Sequence, residues 1–213
     1  MWTLTKQALL STLVLTLLCG LAYPFALTGL SQLLFPAQAH GSLVDRDGKV
    51  VGSALIAQAF ATPGYFHPRP SATTDTDPND STKTIPAPYN AANSGASNYA
   101  PTAKGLVDDV QARLDALKTE NPDARIPVPV DLVTTSASGL DPDISPAAAE
   151  YQLPRVAVAR HLSEVELRKL VAQATEGRTF GVIGEARVNV LKLNLLLDQS
   201  LGQISQAPAQ KPS

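Results

Sequence analysis

The chain has 213 residues, a formal charge of −2 and 44% apolar residue types despite 17 prolines, room for one domain of ordinary size plus accessories. Its one cysteine, Cys19, excludes an internal disulfide in any compartment, and near-neutral charge without a basic cluster argues against nucleic acid as a partner. A mean hydropathy of +0.01 in so proline-rich a chain points to one very apolar segment beside a polar remainder.

That segment is "ALLSTLVLTLLCGLAYPFALTGLSQLLF", Ala8 to Phe35, which carries no charge. About 20 apolar residues span a bilayer core, and this run is longer. A secretory signal is the competing reading, and "AQA" at Ala37 to Ala39 resembles its cleavage site. A signal's apolar region, however, holds roughly 7 to 15 residues. An uncleaved single-pass anchor over 8–35 is therefore expected, kinked or loosened at Pro24, which has no backbone N–H. Lys6 and the amino terminus precede it and mixed charges follow, so the positive-inside tendency puts 1–7 in the cytoplasm and 36–203 outside. Small residues at Ser11, Thr12, Gly20, Ala22, Ala26 and Gly29 suit either a second helix packed closely or a lone helix in lipid.

Beyond the anchor, "SLVDRDGKVVGSAL" predicts a β-hairpin, because Asp47-Gly48 tolerates the positive φ of a type I′ turn. Asp45 and Asp47 do not make a calcium loop, since the further oxygen ligands and the distant Glu are missing. "SALIAQAF" suits one or two helical turns capped by Ser53. Next comes "GYFHPRPSA", Gly64 to Ala72, stiff and suited to neither helix nor ordinary strand. The acidic, Pro-containing "TTDTDPNDSTKTIPAP", Thr73 to Pro88, predicts a mobile surface loop, and "YNAANSGASNYAPT", Tyr89 to Thr102, predicts turns. Residues 64–102 thus form a long irregular region, a feature that is often functional.

The clearest helix is "AKGLVDDVQARLDALKTENP", with Leu106, Val110, Leu114 and Leu117 on one face and Asn121-Pro122 ending it. Val128 to Thr134 suits an extended edge strand, because Pro127 and Pro129 forbid a central one. Ser145 caps a helix running from Pro146 to about Gln152, and Pro154 opens another, "PRVAVARH". "SEVE", Ser163 to Glu166, is a capping box for a helix that Gly177 closes. "FGVIGEARVNV" is strand-like, "LKLNLLLDQSL" suits a terminal helix or a strand, and the tail, 204–213, is expected to be disordered. The fold class is α+β: one transmembrane helix, then one extracytoplasmic domain with a small sheet and several helices.

Chemistry is sparse. The chain has no phosphate-binding P-loop and no G-x-S-x-G elbow. His40, His67 and His161 are scattered, so no zinc site is predicted. Asp141 and Asp143 in "LDPDIS" fit acid–base or cation chemistry, but Asp-Pro and Ser-Pro pairs more often form turns and caps. Ser138 in "SASGLD" has no base at a recognisable position. Arg155, Arg160, Glu185, Arg187 and Asn189 sit among apolar residues, where charges either pair with one another or face a partner.

Four segments carry a family resemblance: "GSLV…DGKVVGSALIAQ…YFHPRPSA", "YNAANSGASN", "TTSASGLDPDISPAAAEYQLPRVAVAR" and "GEARVNVLKLNLLLD". In order, and over nearly the whole chain to about Asp198, they resemble the C subunit of the Kdp-type potassium-transporting P-type ATPases. The resemblance implies a bacterial inner-membrane complex in which a channel-like subunit binds potassium, another subunit hydrolyses ATP, and a small one-helix subunit accompanies them. It implies a non-catalytic accessory subunit with neither pore nor phosphorylated aspartate, so that ATP and K⁺ are handled by the complex. Two roles are implied: a catalytic chaperone that raises the ATP affinity of the hydrolytic subunit, and an outer cap over the channel subunit. With only 1–7 on the cytoplasmic side, an effect on ATP affinity would be transmitted through the complex. The alternative is a membrane-anchored periplasmic small-ligand binding protein.

The chain departs from the family pattern in "GASNYAP", Gly95 to Pro101, in the acidic stretch 73–88, which looks inserted, and at Asp143, where the family usually has histidine. A role for that histidine does not carry over. The candidate contact or structural residues are Tyr65, Phe66, His67, Arg69, Asn90, Ser94, Asn98, Asp141, Arg155, Arg160, Glu185, Arg187 and Asn189. "GYFHPRPSA" is either a rigid docking strap, stiffened by Pro68 and Pro70 with Tyr65, Phe66 and Arg69 as anchors, or a core element whose aromatics pack inward.

Overall fold

The computed structural model describes residues 1–201, so the tail expected to be disordered, 204–213, lies outside them. The chain divides into two compact units, Met1–Ser53 and the part from Ala54 onward.

In the first unit α1 (Trp2–Leu17), a π-turn (Leu18–Ala22) and α2 (Tyr23–Leu34) make one helix of 33 residues. At 1.5 Å per residue it is about 50 Å long, against a hydrocarbon core of about 30 Å. Among the described residues its apolar side chains are all exposed. The helix starts at Trp2 and so includes Lys6. Loosening occurs where the sequence suggests it: Tyr23 N–H donates to the Leu18 carbonyl, five residues back. This wider turn shifts the hydrogen-bond register just before Pro24, which cannot donate. A short helix α3 (Pro36–Ala39) leads to the expected hairpin of β1 (Leu43–Arg46) and β2 (Lys49–Ser53). Asp47 and Gly48 both have positive φ, 55° and 75°, as a type I′ turn requires.

The second unit is built on three helices and a small sheet. α5 (Pro146–Arg160), α6 (Glu164–Ala174) and α7 (Val190–Leu201) bury Leu153, Val156, Leu167, Leu193 and Leu197 together with Ile144 and Val188 of the sheet. The antiparallel sheet has the order β5 (Asp143–Ile144), β7 (Arg187–Asn189), β6 (Thr175–Glu176). Before β5 in the chain, α4 (Lys104–Glu120) turns Leu106, Val110, Leu114 and Leu117 to one half-buried face. The Ser145 hydroxyl accepts from Ala148 N–H and starts α5, and the capping box of Ser163 and Glu166 starts α6.

Several expectations are corrected. No helix forms over 53–60: the Ser53 hydroxyl donates to the Gly41 carbonyl instead of capping, and Ala57 N–H donates to Leu140 O. The stretch 73–88 is not an unstructured loop but a hairpin, β3 (Thr74–Asp77) with β4 (Asp80–Pro86). Its alternating threonines favour pleated backbone, and the Asp77 carboxylate, accepting from Asn79 N–H, fixes the Pro78-Asn79 turn. Val128 to Thr134 makes no strand. Leu132 and Val133 are both buried, whereas a strand would put neighbours on opposite faces, and Val130–Leu132 is a 3₁₀ turn. Pro154 lies inside one continuous helix, α5, because buried residues before it (Tyr151, Leu153) and after it (Val156, Ala157) hold both halves against one core. α6 ends at Ala174, before Gly177, where Thr175–Glu176 joins the sheet. Strand structure in 180–190 shrinks to Arg187–Asn189, since Phe180, Gly181 and Gly184 all have positive φ.

Leu193 is fully buried. Leu193→Ala is expected to destabilise the protein by about 2–5 kcal/mol, read as a lower urea midpoint of the full chain in detergent with the slope unchanged.

Candidate functional site

After a turn over Thr62 to Tyr65, closed by Tyr65 N–H on Thr62 O, the stretch from Phe66 to Ala72 runs as a strap with no strand paired to it among the described residues. Adjacent residues of extended backbone turn their amides to opposite sides, so a lone strand leaves two edges to satisfy. Two buried carboxamides do this. Asn194 of α7 accepts from Phe66 N–H at 2.9 Å and donates to Phe66 O at 2.9 Å. Gln152 of α5 accepts from His67 N–H at 2.7 Å and donates to His67 O at 3.1 Å. Each side chain imitates one step of a β-ladder. Pro68 and Pro70 bring no N–H that would need a partner.

The N-terminal end of the strap is held by arginines. Arg160 Nε donates to Gly64 O at 2.7 Å, and its Nη2 pairs with the buried Asp198 carboxylate at 2.9 Å. Tyr65 donates its hydroxyl to the same carboxylate, while its ring lies 4.3 Å beneath the Arg160 guanidinium. Arg155 donates to the carbonyls of Pro63 and Tyr65, to Asn121 Oδ1 and to Gln152 Oε1. Burial pushes the Arg155 pKa down, with the Glu120 charge opposing. His67 Nδ1 lies 3.0 Å from Glu120 Oε1 and Nε2 lies 3.1 Å from Thr62 O. The His67 hydrogen bond is the main reason that the Glu120 carboxyl sits below its usual pKa. Phe66 is wholly buried and Tyr65 is 8% exposed.

The far end of the strap gathers the loops. Arg69 pairs with Asp141 at 2.9 Å, and Tyr89 donates its hydroxyl to Arg69 O at 3.0 Å. Burial raises the Tyr89 phenol to about 12. Ser136 N–H reaches Pro70 O, and both Ser94 Oγ and Gly95 N donate to Ser138 O. Asn90 accepts from Ala92 N–H and donates to Thr74 O. Gly139 is required here: its φ is +68°, and a Cβ would lie 2.5 Å from Thr73 Cγ2 and 2.7 Å from Gly95 O. Three of the segments that carry the resemblance, "YFHPRPSA", "YNAANSGASN" and "SASGLDPD", therefore meet in one lattice.

The remaining candidates lie elsewhere. Asn98, at φ 53°, bonds locally to Ala96 O and is exposed. Asn189 caps α7 by accepting from Lys192 N–H and donates to Ala54 O and Asp143 Oδ1. Arg187 bridges Asp143 at 3.1 Å and Glu176 at 2.8 Å. Burial raises the Asp143 pKa, while Asn189 and Arg187 lower it. Glu185 pairs with Arg178 on the surface. The possible acid Asp141 is tied to Arg69, and the possible nucleophile Ser138 accepts from Leu140 N–H. Among the described residues no three His, Cys, Asp or Glu side chains converge as metal ligands. An open cleft of about 620 Å³ lies beside Pro154, Val158 and His161, with Arg125 and Glu164 at its edge.

Sequence reading did not single out Asn194, Asp198, Gln152 or Glu120. A signal existed for two of them: Asn194 and Asp198 stand four apart in "VLKLNLLLD", apolar but for them and Lys192, and so share a helix face.

A family model described as "KdpC: K+-transporting ATPase, c chain" matches residues 5–199. A Methylobacterium nodulans protein named "Potassium-transporting ATPase KdpC subunit" is 62% identical over 198 residues, covering 93% of this chain and 98% of the relative. A Bradyrhizobium diazoefficiens protein of the same name is 61% identical over 195 residues, covering 92% and 96%.

Asn194→Ala removes the partner of a buried N–H and a buried C=O at once. A loss of roughly 2 kcal/mol or more is expected, measured by urea unfolding. Tyr89 gives a signed pH test. Its folded pKa of about 12 exceeds the unfolded value of about 10, so its contribution is complete below about pH 10 and lost as pH rises towards 12. Tyr89→Phe should lower stability at neutral pH by about 1 kcal/mol and flatten that alkaline decline in a series of unfolding midpoints.

Proposed function

Because the chain belongs to the KdpC family, the c chain of K⁺-transporting ATPases, we propose that it is a non-catalytic accessory subunit which holds a channel-like subunit and an ATP-hydrolysing subunit together. In this reading Trp2–Leu34 crosses the bacterial inner membrane once, the N-terminus is cytoplasmic, and the unit from Ala54 lies in the periplasm. A small one-helix subunit completes the assembly, and lipid surrounds the anchor.

The observation that carries the proposal is how the family segments use their polar groups. Arg69, Asp141, Tyr89, Ser94, Ser138, Arg155 and Arg160 all bond within the chain. A catalytic site needs a nucleophile or base held within reach of substrate and an acceptor for its proton, whereas here the candidate groups brace loops. Such bracing suits a rigid body that docks with little loss of conformational freedom. The uncovered apolar helix suits a tether. Any effect on the ATP affinity of the hydrolytic subunit then passes through contacts between subunits.

The test is recovery of the C-terminally tagged chain from membranes of potassium-starved cells. Two larger membrane proteins and K⁺-stimulated ATP hydrolysis are expected in the eluate, and a periplasmic reporter fused to the C-terminus should be active. A lone protein without ATPase activity would overturn the assembly role, and an inactive reporter would overturn the orientation.

A further inference from the structure

Eleven consecutive residues, 177–187, are exposed. Residues 177–186 form the long loop of the β6–β7 hairpin, and Arg187 opens β7. At the tip Phe180, Val182 and Ile183 are 90%, 74% and 62% exposed, a concentration of bare apolar surface unusual for a hairpin loop.

The tip is not slack. Thr179 and Ile183 exchange both of their backbone hydrogen bonds, at 2.9 and 3.0 Å, and Gly181 N–H and Val182 N–H close further turns onto Arg178 O and Thr179 O. Below the tip Arg178 Nη2 donates to both oxygens of Glu185 at 2.8 and 2.7 Å, stapling the two arms. Phe180 itself has φ 53°. A bulky side chain in the left-handed region carries strain, and strain of this kind gathers at functional sites. A glycine would hold the same backbone without it, yet the position carries an aromatic ring.

We propose that this tip is a pin that docks into an apolar pocket on another subunit of the pump. The inference rests on the accessory-subunit reading and names the surface that reading needs. Charge and area choose the partner. In the stem Arg178 faces Glu185, Arg187 faces Glu176 and Asp143, and Lys192 faces Glu176. Each cation is matched, which leaves no basic surplus for anionic lipid headgroups, the usual companion of inserted apolar side chains. Three side chains expose at most a few hundred Å², well under the ~800 Å² per partner of a stable pair. The tip is therefore too small to hold any partner by itself, a second copy included, and needs a neighbour kept in place by other contacts, which a c chain of a multi-chain pump has. It is suited to be the aromatic centre of a larger contact, where one ring in a dry pocket contributes most.

Phe180→Gly separates docking from folding, since it removes the ring and also the strain. Tagged full-length chain, wild type and variant, would be purified from membranes and the co-eluting larger subunits quantified after dilution washing. The expected result is at least a tenfold loss of those subunits, with the unfolding midpoint of the variant chain equal to or above the wild type's. In parallel, a benzophenone amino acid in place of Phe180 should form a light-induced adduct with another subunit. Undiminished recovery of the variant, or adducts only with lipid or with a second copy, overturns the pin while leaving the accessory role standing. If wild-type chain itself retains no larger subunit, the accessory-subunit reading fails and the pin fails with it.

Discussion

The arrangement on which the rest depends is the clamp on one extended segment. A lone strand cannot be buried unless both edges of its backbone are satisfied. Here the partners are side chains, Asn194 on α7 and Gln152 on α5, rather than neighbouring strands. Because successive residues of an extended chain face opposite ways, Phe66 bonds to one helix and His67 to the other. The strap thereby bridges α5 and α7 and places the Phe66 ring in the core.

The ion pair of Arg160 and Asp198 extends the clamp. Each of these charges would be costly alone. Together they also satisfy Gly64 O and the Tyr65 hydroxyl, so the pair is tied into a network rather than isolated. Such a network specifies one threading of the strap more sharply than apolar packing does, because any slip in register strands several buried donors. From there order passes outward through Arg69 to Asp141 and through Ser136 to Pro70, which fixes the loops around Ser94 and Ser138.

This economy of polar groups bears on function. A body whose charges are largely paired inside itself offers other proteins shape and apolar contact more than chemistry. The tip at Phe180 is a clear apolar feature left exposed among the described residues of the unit from Ala54, and the charges of its stem are paired. On the proposed accessory reading, such a body would influence catalysis elsewhere only by biasing which arrangement of its partners is stable.

Much was legible from local rules. The uncharged run, the Asp47-Gly48 turn, the face of α4, the Ser145 cap and the capping box at Ser163 are each fixed by residues close in sequence, so the sequence determined them by itself. It also determined the family, through segments quoted in order. Much of what it misassigned depended on contacts distant in the chain, the locally paired hairpin over Thr74–Pro86 being an exception. Pro154 predicts a break, but a common core on both sides keeps α5 whole. Thr73 to Pro88 has a loop's composition, yet its alternating threonines pair as a hairpin. Asn194 and Asp198 look like polar interruptions of a terminal helix until the strap, about 130 positions earlier, is laid against them. Only the tertiary structure decided that "GYFHPRPSA" turns its aromatics inward and that "TFGVIG" turns its own outward, because burial is set by what packs against a segment and not by the segment's own residues.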